Sequence, residues 1–349
     1  MRVGARAEGP IEWLVDACGL VPRAMLDTFH AVVLARSVMI AAKFGVFDAL
    51  EPGPKTAGEL AAATSTHPQA LEKVLNVLVS GGYLTFGETR YRLRGHARRW
   101  MLRSSRPSLA DNVVFRYLEW EAIQNLEEFV RTGEPLEAHE RMPAEYWPIY
   151  QRGMKSVAGL TVGEVVQRMA LPANPRRMLD IGGSHGLYAV EFCRRYPTLE
   201  AVILELPSAI EHAAPLLAEE GMGPRVVHRA GDALSDSLGE NEWDFVFTSQ
   251  LVHHFTEEMN RELCRRVRWA LRPGGVFAVV DLERPASPQS GGQTGTVFDL
   301  FFAATSRSGT WTAEEIQRWQ ADADLKTLAP LRLRWTPGVV VAPAIAAGA

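Results

Sequence analysis

Two adjacent histidines, His253 and His254, stand where the apolar run Trp243 to Ser249 gives way to Phe255-Thr256-Glu257-Glu258. The run reads as a strand and the acids that follow as the start of a helix, so the pair lies in the loop at a strand tip. Neutral imidazole, with a pKa of about 6.5, accepts a proton at neutral pH. A positioned base of this kind is worth about 10²- to 10⁴-fold in rate. It works best when an acid fixes its tautomer, and Asp281, closing Phe277-Ala278-Val279-Val280, is the candidate. Neighbouring histidines also bind metals, but two consecutive side chains seldom point at one ion. No third or fourth ligand follows at a suitable spacing, so no metal is expected. A purely structural histidine pair is the competing reading.

A second constellation precedes it. Arg176-Arg177-Met178-Leu179-Asp180 runs into Ile181-Gly182-Gly183-Ser184-His185-Gly186 and then Leu187-Tyr188-Ala189-Val190-Glu191-Phe192-Cys193. This pattern is strand, tight loop, helix. Glycines let backbone approach a ligand closely, and the helix start offers free N–H groups. Asp180 sits at the carboxyl end of the strand, where open α/β sheets bind ligands. Glu205 closes Ala201-Val202-Ile203-Leu204, about 20 residues past the glycines, where an acid commonly holds a ribose 2′-OH. Ser184 and Leu187 replace the second and third glycines of a dinucleotide loop. The spacing therefore suits a nucleoside without a pyrophosphate, against the alternative of a tight turn with a solvated Glu. Asp232, in Ala230-Gly231-Asp232-Ala233, accepts from an adenine amino group or simply serves the turn. Thr248-Ser249-Gln250 reaches the same edge.

These residues need a frame. From Arg176 onward strands are expected near 177–181, 201–205, 225–229, 243–249 and 275–282, with helices at 186–196, 208–220 and 257–271. Such alternation implies a mostly parallel sheet covered on both faces. Upstream, Ile11 to Leu50 reads as helix so broadly apolar that it is either deeply buried or faces another chain. Residues 56 to 95 read helix, turn, helix, hairpin, the outline of a winged helix. Thr56 caps the first of these helices and Pro68 starts the second. Residues 108 to 170 look helical and connecting. Within them Trp147, Tyr150 and Met154 either belong to the core or wall an apolar acceptor pocket.

The whole chain sets limits. Its 349 residues suggest two domains, and 47% hydrophobic composition supports a sizeable core. A net charge of −4 gives no general attraction for nucleic acid or anionic lipid. Met1 to Pro10 lacks a signal-like apolar region, and no uncharged apolar run of about 18 residues is present, so no membrane span is expected. Cys18, Cys193 and Cys264 offer neither a disulfide framework nor zinc spacing, and a reducing cytosol is the simplest setting. The Ala-rich C-terminal tail is expected to fray. Arg90, Arg92, Arg94, Arg98, Arg99, Arg103 and Arg106 raise a DNA-binding regulator as an alternative. The second helix of the winged-helix outline carries one Lys and one Glu over Gln69 to Ser80, which is poor equipment for reading a groove.

Asp180-Ile181-Gly182-Gly183-Ser184-His185-Gly186, Glu205-Leu206-Pro207, Gly231-Asp232-Ala233, His253-His254-Phe255-Thr256-Glu257-Glu258, Leu271-Arg272-Pro273-Gly274-Gly275 and Phe298-Asp299-Leu300 occur in that order. Together they resemble the S-adenosylmethionine-dependent O-methyltransferases of the caffeate and acetylserotonin type, including bacterial members that decorate natural products. The resemblance spans nearly the whole chain. It implies a winged-helix dimerisation domain over 1–107, a helical connector over 108–170 and a Rossmann-like α/β class I methyltransferase domain over 171–349. It implies a cytoplasmic homodimer, S-adenosyl-L-methionine as cofactor and a small-molecule acceptor, without nucleic acid or membrane.

By the same resemblance Asp180, Gly182, Gly183, Gly186, Glu205, Leu206, Asp232, Ala233, Ser249 and Gln250 bind the cofactor. His253 is the base, aided by Asp281 and flanked by His254, while Trp147, Tyr150, Met154, Phe298 and Phe302 form the acceptor pocket. The chain departs from the family where Glu205 replaces the commoner Asp, Ser249 a Lys of plant members, and His254 an Asp. Thr310 stands where a second acid is expected within Ser308-Gly309-Thr310-Trp311-Thr312. Similar folds also carry hydroxylation, decarboxylation, cyclisation and carbon methylation.

Overall fold

The computed structural model describes Gly4, Ala7, 9–139 and 141–347. Most of the Met1 to Pro10 reading, and the tail's last two residues, therefore lie outside the described residues. The chain divides into two units, Met1–Glu119 and Trp120–Ala349.

In the first unit, helices cover Pro10–Ala17, Arg23–Lys43 with one wide turn inside it, and Val46–Ala49. Gly45, at φ 74°, breaks the second from the third. Thr56 and Glu59 form a capping box at the start of helix Ala57–Thr64, and Pro68 opens helix Pro68–Ser80. The hairpin follows as β1 (Leu84–Gly87) paired antiparallel with β2 (Arg90–Leu93). Leu60, Leu71, Leu75, Leu78, Leu84 and Tyr91 bury together as the core of this helix–turn–helix–hairpin. Part of the basic run is spent internally: Arg90 pairs with Glu59 at 2.9 Å, and Arg103 reaches Asp48 and Asp111. Along Arg23–Lys43 the residues Met25, Phe29, Val32 and Val33 are exposed, so these apolar side chains are not covered by their own chain. By length and composition alone this helix is apolar enough to cross a membrane, with mean hydropathy 1.4.

The second unit is built on an eight-stranded sheet. Its strands are β3 (Arg177–Ile181), β4 (Glu200–Glu205), β5 (Val226–Ala230), β6 (Trp243–Ser249), β7 (Leu271–Leu282), β8 (Leu325–Thr327), β9 (Leu331–Arg332) and β10 (Val339–Ala346). The order is β5-β4-β3-β6-β7-β10-β8, with β9 also on β10. From β5 through β7 all pairs are parallel, whereas β10 runs antiparallel to β7. Helices Leu187–Arg195, Pro207–Ala218 and Glu257–Ala270 alternate with the parallel strands as the periodicity predicts. Two buried clusters, one on each sheet face, explain why the strands read as continuous apolar runs. The chain order reverses at β3, between β4 and β6, so their carboxyl ends open the crevice where such sheets bind ligands.

The expectation of a frayed Ala-rich tail is wrong. Val339–Ala346 is an inner strand, between β7 and β8. Its small residues suit a close approach: Ala342, Ala344 and Ala346 bury in the same cluster as Ile316 and Trp319 of helix Ala313–Asp322. The Gln320 amide nitrogen donates to the Ala342 carbonyl at 2.9 Å. Composition concealed this because Ala carries no strand signal of its own. In hydrogen exchange, the amides of Val340, Val341, Ala342 and Ala344 should rank with those of β6 among the slowest in the protein. Exchange within seconds at neutral pH would contradict the inner-strand assignment.

Candidate active site

At the tip of β3 the glycine loop forms a tight cradle. Gly182, Ser184 and Gly186 take φ values of 67°, 48° and 73°. At Gly183 a β-carbon would lie 2.3 Å from an Asp180 carboxyl oxygen, and at Gly186 one would meet Ile203 and Leu217 under 3 Å. A β-carbon at either position would force these side chains to shift, and at Gly186 the positive φ also favours glycine. The Glu205 carboxylate, on the neighbouring strand tip, accepts the Ser184 N–H at 3.1 Å and the Leu206 N–H at 2.8 Å. These bonds oppose the rise in its pKa that burial causes. Asp180 is buried, and neither carboxyl oxygen has a hydrogen-bond partner among the described residues. Burial, with Glu205 close by, pushes its pKa up to about 8.

Sequence reasoning missed three side chains of this cradle. Gln151, buried on helix Trp147–Arg168, accepts from the Ser184 hydroxyl. His228 on β5 reaches the Ser184 carbonyl at 2.8 Å. His185 accepts the Leu187 N–H through Nδ1 at 3.1 Å. Gln151 and His228 lie far from the loop in sequence and leave no local pattern that would gather them, while His185 sits inside the glycine motif itself. Among the expected residues, Asp232 is engaged in its own turn, accepting the Leu234 N–H at 2.8 Å, beside buried Ala233. Leu206 is exposed at the head of helix Pro207–Ala218. Ser249 ends β6, and Gln250, at φ 56°, donates its N–H to the Val280 carbonyl.

The histidines occupy a short helical turn, Val252–His254, directly after β6. His253 is 2% exposed and its Nδ1 meets Asp281 Oδ1 at 2.8 Å. Its backbone N–H points to the other oxygen at 3.4 Å. The His253 Nε2 has no hydrogen bond among the described residues. The turn is fixed from outside: Trp311 Nε1 and the Asn260 amide donate to the Val252 carbonyl, and the Ser308 hydroxyl to those of His253 and Phe255. His254 Nδ1 pairs with the Ser306 hydroxyl at 3.1 Å, and burial with the neighbouring His253 and His139 holds its pKa well below normal. No group of three or more metal-ligating residues occurs among the described residues.

The expected pocket residues join these histidines as one column of rings. Phe302 stands 4.1 Å from His253, and Phe298 stacks on Phe302 at 6.3 Å. On the other side His254 leads to His139 at 4.6 Å, then to Tyr150 at 5.0 Å and on to Trp147. Met154 lies half-buried on the same helix as Trp147 and Tyr150. Thr310 is buried and donates to Asp299 at 2.5 Å, so an acid reaches this position from the helix Pro288–Thr305.

A parallel sheet with a glycine cradle at its switch point, and a buried His–Asp pair two strands away, defines a nucleoside-binding α/β enzyme. The O-methyltransferase domain family matches residues 115–323, and the O-methyltransferase dimerisation domain matches 26–103. The chain belongs to the O-methyltransferase family. It is 25% identical to 3-hydroxy-5-methyl-1-naphthoate 3-O-methyltransferase of Streptomyces sahachiroi, over 91% of this chain and 93% of that protein. It is 28% identical to mouse acetylserotonin O-methyltransferase, over 79% of this chain and 76% of that protein. Its fold is similar to that of human N-acetylserotonin methyltransferase solved in complex with SAM, with TM-score 0.80 at 18% identity, covering 99% and 100% of the two chains.

The buried Asp180 carboxyl gives a pH signature. Its folded pKa of about 8 lies far above the ordinary carboxyl value of 3.8. Between these values the native state holds the proton more tightly, so its contribution to stability falls as pH rises through the window. Asp180→Asn removes that titration. By calorimetry its melting temperature should match wild type near pH 4.5, exceed it at about pH 8, and the gap should grow with pH between. A constant gap would show that Asp180 does not titrate there.

Proposed function

We propose that this protein transfers a methyl group from S-adenosyl-L-methionine to a hydroxyl of an aromatic or polyketide-like small molecule, with His253 as general base. The observation that carries the reading is the buried His253–Asp281 hydrogen bond at the edge of a glycine-lined nucleoside cradle. The residues present fit the cofactor. Asp180 offers two buried oxygens with no hydrogen-bond partner among the described residues, and a cationic group bound beside them would favour its ionised form. Glu205 is already oriented by two backbone N–H groups and has the acceptor capacity left for ribose hydroxyls. Gly182, Gly183 and Gly186 let the loop backbone close on the ligand. Asp232, Ala233, Leu206, Ser249 and Gln250 lie on the same sheet edge, where adenine and its ribose would contact them.

When bound, the cofactor's sulfonium supplies a methyl group already activated as an electrophile. The protein's part is to align the acceptor oxygen and to take its proton. Asp281 holds the His253 Nδ1–H, which leaves Nε2 as the basic nitrogen. The column of Trp147, Tyr150, Phe298 and Phe302, with Met154 beside it, gives a planar acceptor its apolar wall. The dimerisation-domain match and the exposed Phe29, Val32 and Val33 support a homodimer.

Two outcomes follow. His253→Ala should still bind cofactor while turnover falls about 10²- to 10⁴-fold. Full rate with the true acceptor, measured by S-adenosylhomocysteine release, would remove His253 from the base role. Glu205→Ala should weaken calorimetric binding of both S-adenosylmethionine and S-adenosylhomocysteine by about tenfold or more, the loss of a charge-assisted hydrogen bond. Unchanged affinity for both would place the nucleoside elsewhere.

A further inference from the structure

His139 is used by neither the base chemistry nor the nucleoside cradle, yet it completes the ring column. An irregular segment carries it, pinned along its length to the end of helix Pro288–Thr305. The Leu136 N–H donates to the Ala304 carbonyl at 2.8 Å, and the Ala138 N–H to that of Thr305 at 3.0 Å. Glu137 pairs with Arg307 at 3.3 Å. On its other side the ring meets Tyr150 edge-on at 5.0 Å, and His254 lies edge-on at 4.6 Å. This is a fixed imidazole, and no hydrogen bond reaches its ring among the described residues.

Its chemistry differs from that of its neighbours. His253 and His254 each commit Nδ1 to a partner, Asp281 and Ser306. Burial and the nearby His253 hold the His139 pKa down to about 4. A neutral ring presents one donor and one acceptor and has no charge with which to draw an anion. A polar tip in an otherwise aromatic wall discriminates strongly, because a ligand that cannot satisfy it leaves it unpaired.

Resting on the methyltransferase reading, we propose that His139 is a specificity-determining residue of the acceptor site. It hydrogen-bonds a second, uncharged oxygen substituent of the acceptor, remote from the hydroxyl that faces His253. The His254 ring stands between the two contacts, 4.1 Å from the His253 ring and 4.6 Å from that of His139, so the second oxygen lies away from the one that faces His253. Oxygens on the two rings of a fused bicyclic acceptor would be placed in this way.

The test is calorimetric titration of the full-length protein, saturated with S-adenosylhomocysteine, with 2-naphthol, 2,3-dihydroxynaphthalene and 2,7-dihydroxynaphthalene. Wild type should bind the 2,7-diol about tenfold more tightly than 2-naphthol, and the vicinal 2,3-diol no better than 2-naphthol. His139→Phe keeps a ring against Tyr150 and His254, so it should retain 2-naphthol affinity and lose the tenfold preference. His139→Asn, which keeps a hydrogen-bonding tip, should retain most of it. The proposal is overturned if wild type shows no preference, if the preference survives in His139→Phe, if His139→Asn loses as much as His139→Phe, or if none of the naphthols binds the loaded protein. Failure to bind S-adenosylhomocysteine at the outset would instead overturn the methyltransferase reading, and this proposal with it.

Discussion

The site depends on one hydrogen bond between two side chains that are both sealed from solvent, His253 and Asp281. A carboxylate buried to this degree without a partner would cost several kcal/mol, about 3–5 in comparable broken pairs. The pair therefore constrains everything around it. β6 and β7 must be adjacent, with Ser249 opposite Val280, so that the turn after one strand meets the end of the other. The turn must also be held without a regular ladder, and side chains do this. Trp311, Asn260 and Ser308 take its carbonyls, and Ser306 takes the second histidine. Residues 306 to 311 thus complete a structure that the sheet starts.

Asp180 is the opposite case on the next strand but one. It is as buried as Asp281, yet its oxygens have no hydrogen-bond partner among the described residues and burial keeps it protonated near neutral pH. One acid is satisfied within the fold and fixes an imidazole, whereas the other is left in a state that a cationic ligand would relieve. The two lie at tips of strands separated only by β6. The unmet polar demand is therefore concentrated at the glycine cradle.

Much of this was legible because it is local. Apolar runs ending in Asp180, Glu205 and Ser249, separated by helical periods and punctuated by Gly and Pro, specify a parallel sheet and place its tips together. The His253–Asp281 contact followed from that topology, since each residue sits at the tip of its strand. What escaped has no local signature. Val339–Ala346 is an inner strand because Ile316 and Trp319 lie over its small residues, a fact about a helix some twenty residues earlier. Gln151, His228 and His139 reach the site from elements whose own patterns announce only core or loop. The stretch from Ile11 to Leu50 is unusually apolar, and periodicity alone does not separate burial from a partner, whereas in the fold Phe29 and Val32 on helix Arg23–Lys43 are left exposed by their own chain.

Thr310 shows why one position should not be judged from one loop. The stretch from Ser308 to Thr312 holds no acid, and on the sequence that reads as a lost support for the base. In the fold the Thr310 hydroxyl is buried and spent on Asp299, three residues before Phe302, whose ring lies 4.1 Å from His253. A threonine can donate where a carboxylate cannot, so the exchange of side chain at 310 turns a site for an acid into a tether for one on the facing helix. Ser308 and Trp311, on either side, bind the histidine turn directly. The loop grips that turn through the residues flanking 310, and the carboxylate that meets Thr310 comes from the helix instead.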